Sequence, residues 1–264
     1  MQNHADLLEG LNSQQFKAVT HADGSLLVLA GAGSGKTKVL TTRLAWLIRT
    51  RHLGISEVLA VTFTNKAARE MLNRVGRLLH TDTKYMWVGT FHSIALRLLR
   101  AHYQEAGLPA SFQIIDAGEQ QSLIKRLIKQ KGLDEDRYPA KEIQSYINYQ
   151  KEQGLRAAQL TPDGLRTQQW LEIYNLYEET CNRDGLVDFT ELLLRSYELL
   201  AMHDGLLRRY QQQFKHILVD EFQDTNQLQY LWLKILVGAE SEIFAVGDDD
   251  QSIYSFRGAK VSNM

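Results

Sequence analysis

The chain has 264 residues, enough for one large domain or two modest ones at roughly 100–200 residues each. Hydrophobic residues make up 44% and charged residues 23%, which excludes a disordered or collagen-like chain. No apolar run approaches the ~18 residues of a membrane span, no signal peptide is visible, and the one cysteine, Cys181, cannot form an internal disulfide, so a cytoplasmic protein without a membrane partner is expected.

The net charge of −1 hides a gradient. Residues 1–90 carry 11 Lys/Arg against 6 Asp/Glu, whereas residues 214–264 carry 4 against 8. The basic end suits phosphates and the acidic end suits a metal, although most such charges simply solvate a surface.

In chain order, Leu26 to Ala30 is a continuous apolar run, the pattern of a strand buried on both faces. A glycine-rich turn follows, and Lys36 to Arg49 reads as a helix. Val58 to Phe63 is a second strand, followed by a helix whose Ala67, Met71, Leu72, Val75, Leu78 and Leu79 share one face. Met86 to Gly89, Ile217 to Val219 and Ile243 to Val246 are further short strands. Strands alternating with helices predict an α/β domain with a mostly parallel sheet. Between Ser93 and Gln213 the pattern is almost wholly helical, with stretches at Ser93–Tyr103, Glu119–Lys131, Gln168–Asn182 and Phe189–Met202. This middle reads as a helical domain inserted into the α/β domain.

Ala30-Gly31-Ala32-Gly33-Ser34-Gly35-Lys36-Thr37 follows a strand and opens a helix. Apart from Ala30 in its first position, it matches the phosphate-loop pattern G-x-x-x-x-G-K-[ST]. Glycines let backbone N–H groups crowd phosphate oxygens, and the helix N-terminus adds partial positive charge. Lys36 would reach the β/γ phosphates and Thr37 would offer its hydroxyl to Mg²⁺. Ile217-Leu218-Val219-Asp220-Glu221 is an apolar strand ending in two carboxylates. Alone it reads better as a strand ending in a solvated acidic turn. Beside the phosphate loop, Asp220 suits a Mg²⁺ holder and Glu221 a base that polarises the attacking water.

Two further strand ends, Thr62-Phe63-Thr64-Asn65-Lys66 and Gly89-Thr90-Phe91-His92, are compatible with ordinary caps and core aromatics. Taken singly, each reads better that way than as a site of backbone-phosphate contacts with a stacking face for single-stranded nucleic acid. Convergence on one sheet edge favours the second reading. Val246 to Gly258 adds a strand, three acids, Gln251, and two aromatics, Tyr254 and Phe256. Here a ligand-facing loop and an acidic turn leading to buried aromatics remain alternatives.

Taken jointly, these segments resemble the superfamily 1A DNA helicases of the UvrD/PcrA/Rep group. The resemblance rests on Leu11-Asn12-Ser13-Gln14-Gln15, on Ala30 to Thr37, on Ala60 to Ala68, on Trp87 to His92, on Val219 to Thr225 and on Val246 to Gly258. It implies a RecA-like domain over residues 1–90 and 214–264, interrupted by a helical domain over 91–213. It implies ATP and Mg²⁺ as cofactors, with Gln15 reading adenine, Arg43 near the nucleotide, and Gln251 coupling nucleotide state to DNA. Phe63, Tyr254 and Phe256 would contact bases, Thr64, Asn65, Thr90 and His92 would lie near the backbone, and Arg257 would link to the acidic site or the strand. The implied substrate is single-stranded DNA, or duplex with a 3′ single-stranded tail, in repair or replication. The implied second RecA-like domain, which supplies further arginines, is not found in these 264 residues, so the chain reads as the N-terminal half of a motor. Two other classes compete: a regulatory module that binds nucleotide or a partner without turnover, and an unrelated P-loop kinase or GTPase. The Asp220-Glu221 pair and the lack of an Asn-Lys-x-Asp segment oppose the last.

Overall fold

Five apolar segments become the strands of one parallel sheet: β1 (Leu26–Leu29), β2 (Val58–Thr62), β3 (Trp87–Thr90), β6 (His216–Val219) and β7 (Glu242–Gly247), in the order β1-β7-β6-β2-β3. The structure is a computed structural model, and residues 5–31 and 33–248 are described. Between β3 and β6 the chain adds a two-residue parallel pair, β4 (Gln113–Ile114) with β5 (Leu186–Val187). The fold is mixed α/β, as the strand–helix alternation predicts.

Strands β2, β3 and β6 are buried at every position, as expected of strands covered on both faces. The β1 strand departs from that expectation: Leu27 is 37% and Leu29 55% exposed. It stands at the end of the strand order and pairs with β7 alone among the described residues, so one edge and part of one face lack cover.

The chain divides into two compact units. The first takes in the described residues of Met1–Ile94 and His203–Met264. Its helices include α1 (Ala5–Leu8), α2 (Ser13–Val19), α3 (Lys36–Thr50), α4 (Asn65–Leu79), α10 (Asp204–Gln213) and α11 (Gln227–Leu236). Leu40, Leu44, Val58, Ala60, Met71 and Leu218 lie in its core. The helix Asp204–Gln213, read from sequence with the helical insertion, clusters with the sheet instead. Tyr210 explains this: its ring meets Trp87 of β3 edge-on at 5.8 Å.

The second unit, Ala95–Met202, is built from α6 (Ala117–Gln130), α7 (Ala140–Glu152), α8 (Leu165–Asp184) and α9 (Phe189–Met202). Helix α5 (Phe91–Ala101) belongs partly to each unit. Ile124, Ile128, Ile143, Ile147, Ile173 and Tyr174 are buried together at its centre. Asp116 and Glu119 form a reciprocal capping box that starts α6. Gly185 ends α8 in the left-handed region at φ 66°, and a Cβ there would meet Pro109 Cγ at 2.6 Å. Only glycine fits both constraints. None of the described helices is long and apolar enough to cross a membrane.

Candidate active site

All five strands of the large sheet run parallel, so their C-terminal ends, with the loops that follow, share one edge. The described segments singled out from sequence after a strand therefore emerge there.

The loop after β1 is shaped by Gly33 at φ 73° and Gly35 at φ 86°, both left-handed. Gly35 is the N-cap of α3 and supplies no side-chain hydrogen bond, so the first N–H groups of a 15-residue helix point into the loop. A Cβ on Gly31 or Gly33 would meet nothing within 4 Å, whereas one on Gly35 would meet Gln15 Nε2 at 2.8 Å. The cradle is thus open above and braced below. The Lys36 side chain is 9% exposed; its Nζ donates to the Ala30 carbonyl at 2.8 Å and pairs with Asp248 Oδ2 at 3.2 Å. Thr37, half-buried, follows in the first turn of α3.

Asp220 and Glu221 leave β6 at the same edge. Asp220 is 5% exposed, and burial, reinforced by the neighbouring Glu221 carboxylate, pushes its pKa up to about 6 against the pull of Lys36. Glu221 adopts φ 47°, ψ 48°, a left-handed conformation uncommon for a non-glycine residue. Its backbone N–H donates to Asp220 Oδ1 at 3.2 Å. A 3₁₀ turn, Phe222–Asp224, follows and brings Gln223 Nε2 to 2.9 Å from Glu221 Oε2. Asp224, 8% exposed, is also pushed up to about 6 by burial and by Glu221.

This donor set fits a nucleotide phosphate with a divalent cation. One buried ammonium stands in a glycine cradle, beside buried carboxylates that the protein's own cations leave incompletely balanced. Thr37 and Asp220 are the residues with the right chemistry to hold Mg²⁺.

Gln15 is fixed by a capping box on α2. Its N–H donates to Asn12 Oδ1 at 2.8 Å and its Oε1 accepts from the Asn12 N–H at 3.1 Å. Its Nε2 donates to the Ser34 carbonyl at 2.8 Å, tying α2 to the phosphate loop. Arg43, expected near the nucleotide, is 2% exposed in the core. Its Nη1 donates to the carbonyls of Val19 and His21 at 2.8 and 2.7 Å, its guanidinium lies over Phe244, and burial lowers its pKa to about 10. The fold gives it the task of anchoring the end of α2. The exposed cation in the first turn of α3 is Lys38, whose Nζ donates to the Gly10 carbonyl at 2.6 Å.

Among the DNA candidates, Thr64 and Asn65 are exposed at the start of α4, where the Thr64 hydroxyl caps the helix by accepting from the Ala67 N–H at 3.1 Å. Phe63 is half-buried, edge-on to Phe91 at 5.6 Å. The Thr90 hydroxyl accepts from the Ser93 N–H at 3.2 Å, and burial lowers the pKa of the half-buried His92. Ala32, Gln251, Tyr254, Phe256 and Arg257 lie outside the described residues. Sequence reasoning missed the partnership of Lys36 with Asp248, the contacts of Gln223, and Lys38. Asp248 was visible only as the first of three acids after a strand, and Gln223 only as a polar residue inside the acidic segment.

The profile described as UvrD/REP helicase N-terminal domain matches residues 11–264. The chain is 51% identical over its whole length to DNA helicase II of Haemophilus influenzae, covering 37% of that relative. It is 51% identical to DNA helicase II of Escherichia coli K12 over 98% of the chain and 36% of the relative. It is 40% identical to the ATP-dependent DNA helicase PcrA of Leuconostoc citreum over 98% of the chain and 35% of the relative. The chain therefore spans little more than a third of these relatives. With its parallel sheet and phosphate loop, and with a family profile matched over nearly all its length, the chain belongs to the UvrD/REP helicase N-terminal domain family.

Proposed function

We propose that the chain is the nucleotide-binding first half of an ATP-driven motor that moves 3′ to 5′ on single-stranded DNA and opens duplexes carrying a 3′ tail. The observation that carries the reading is Lys36. Its ammonium is nearly buried in a glycine cradle, held by one carbonyl and one carboxylate, 3.2 Å from Asp248. A buried cation so lightly held suits exchange for phosphate oxygens.

In this reading the backbone N–H groups of Gly31, Ala32, Gly33, Ser34 and Gly35 surround the phosphates, and Lys36 leaves Asp248 for the β/γ oxygens. Thr37 and Asp220 hold Mg²⁺, which supplies charge neutralisation at the transferring phosphoryl group. Glu221 accepts a proton from the attacking water. Gln15 senses the base, and Lys38 is better exposed than Arg43 to face the nucleotide. Gln251 couples the site to the strand. Phe63, Tyr254 and Phe256 stack on bases, Thr64, Asn65, Thr90 and His92 meet the DNA backbone, and Arg257 bridges toward the acidic site. A lone buried thiol at Cys181 suits a reducing cytoplasm.

Lys36, with a cation held by Thr37 and Asp220, would neutralise part of the phosphoryl charge. An arginine reaching the remainder is worth roughly 10³–10⁵ in rate. These 264 residues alone are expected to bind nucleotide and single-stranded DNA weakly and to turn over ATP slowly. The test is a calorimetric titration with Mg-ATP, paired with ATP hydrolysis with and without single-stranded DNA. Lys36→Ala is expected to remove most nucleotide binding. Unchanged affinity in the folded variant overturns the reading.

A further inference from the structure

We infer that Gln223 is the positioning residue for Glu221, a two-ended clamp that ties the carboxylate to the backbone at the end of β7. This rests on the proposed role of Glu221 as the base that accepts the water's proton.

Gln223 is 1% exposed. A buried amide is costly unless both ends are bonded, and this one uses both. Its Nε2 donates to Glu221 Oε2 at 2.9 Å, and its Oε1 accepts from the Asp248 backbone N–H at 3.0 Å. Asp248 is the residue whose carboxylate pairs with Lys36. One side chain therefore bridges the acidic end of β6 and the end of β7, the adjacent strand that lies between β6 and the phosphate-loop strand β1.

The backbone is built to deliver this contact. Glu221 takes the left-handed conformation, and the 3₁₀ turn Phe222–Asp224 reverses the chain so that residues two apart meet through their side chains. The turn is locked by the Thr225 hydroxyl donating to the Phe222 carbonyl at 2.8 Å, and α11 starts at once with the Asn226–Gln229 capping box. A left-handed non-glycine residue in a rigid turn marks a place where position matters more than local ease. An isosteric apolar side chain would fill the same volume without needing any partner. What the amide adds is a defined direction for one carboxylate oxygen, leaving the other oxygen of Glu221 as the acceptor for a water proton.

The test is single-turnover ATP hydrolysis with saturating single-stranded DNA, in the protein that carries this chain. Four forms are compared with wild type: Gln223→Met, Gln223→Glu, Glu221→Gln, and the double variant Gln223→Met with Glu221→Gln. Gln223→Met keeps the volume and removes both hydrogen bonds. It is expected to slow hydrolysis about 10–100-fold, the scale of a misplacement near 1 Å, with Mg-ATP affinity within about twofold of wild type. Gln223→Glu keeps the acceptor for the Asp248 N–H and replaces the donor to Glu221 by a carboxylate. It is expected to fall as far, and it serves if the methionine variant does not fold. The double variant is expected to be no slower than Glu221→Gln alone, because a positioning residue has nothing left to position. A merely structural role would slow both backgrounds alike, so additive losses overturn the inference, as does a wild-type rate in Gln223→Met. If Glu221→Gln itself hydrolyses ATP normally, the base assignment fails and this inference fails with it. If Glu221→Gln is inactive while Gln223→Met is not, the base assignment stands and only the clamp is lost.

Discussion

In the helical unit Lys151 is 2% exposed and lies 2.7 Å from Asp188 and 2.9 Å from Glu191. Arg156 adds pairs to Glu178, Glu191 and Glu198, and Arg195 closes on Glu191 at 2.7 Å. At the sheet edge Lys36 pairs with Asp248 at 3.2 Å, while among the described residues neither Asp220 nor Asp224 has a cation within salt-bridge distance. Burial opposes ionisation in both places. In the helical unit the partners win: burial disfavours charge on Lys151, but Asp188 and Glu191 hold its pKa above the ordinary value, and Lys151, Arg156 and Arg195 hold Glu191 well below its own. At the sheet edge burial wins, and both aspartates rise to about 6. On the proposed reading, charge buried for architecture is balanced within the chain, whereas charge buried for chemistry is left short of a counter-ion that a ligand would supply.

The largest expected effect is in the balanced network. Lys151→Met removes the cation shared by Asp188 and Glu191 and leaves buried carboxylate behind. Breaking such a pair costs about 3–5 kcal/mol. Urea unfolding of the variant should show that loss without a change in slope. A loss under about 1 kcal/mol would mean that the remaining arginines rebalance the site and that the contrast with the sheet edge is overstated.

The unbalanced region should respond with the opposite sign. A carboxyl group whose folded pKa is raised binds its proton more tightly when folded. Its contribution favours folding at low pH and is lost as pH rises from about 4 through about 6. Asp220→Asn removes that loss, so in the absence of nucleotide and divalent cation the variant is expected to be more stable than wild type above about pH 6. The gain is at most about 3 kcal/mol, and it shrinks to nothing near pH 4. Melting curves over that range decide it. Equal stability at pH 8 would show that Asp220 is already compensated.

The two regions also differ in how far they could be read in advance. The sheet-edge motifs are contiguous in sequence, because a strand end and the loop after it must be neighbours. Leu26–Leu29, Asp220-Glu221 and the helix from Lys36 were legible for that reason. The helix Phe189–Met202 was legible from its length and apolar content. The Lys151 network draws on α7, α8, α9 and the segments between them, and each member looks like an ordinary surface charge in its own stretch of sequence. The β4–β5 pair was missed because two residues carry no periodicity. Gln223 and Asp248 were missed as partners because their contact spans 25 residues and depends on strand order. For β1, apolar composition was legible but its edge position was not, so Leu29 was expected inside.

Arg43 tests the boundary between the two kinds of buried charge, because it was assigned to chemistry and sits in architecture. Arg43→Lys keeps the charge, but its shorter side chain falls short of the Val19 and His21 carbonyls that Arg43 Nη1 reaches. Losing hydrogen bonds from a charged donor should cost about 1.5–3 kcal/mol. Nucleotide affinity is expected to stay within about twofold. A tenfold loss of affinity at unchanged stability would return Arg43 to the nucleotide.

The smallest expected effect concerns Thr64, where one hydroxyl has a demonstrable structural task and a proposed contact with DNA. It caps α4 by accepting from the Ala67 N–H at 3.1 Å. Thr64→Ala removes the cap and should cost about 1 kcal/mol. That change alone says nothing about DNA, since a frayed α4 would also disturb Asn65. Thr64→Asp separates the two roles. Aspartate caps at least as well as threonine and suits the positive end of a helix, so stability is expected to hold or rise slightly. The same carboxylate would face any phosphate approaching the exposed start of α4, so single-stranded DNA should bind more weakly. The loss should be similar for all sequences and largest at low salt, because a phosphate contact is electrostatic and blind to the base. Binding isotherms at two salt concentrations, beside a melting curve, give the answer. If Thr64→Asp keeps both its stability and its DNA affinity, Thr64 serves the helix alone. The strand's backbone must then be held by other groups along the edge, Thr90 and His92 first among them.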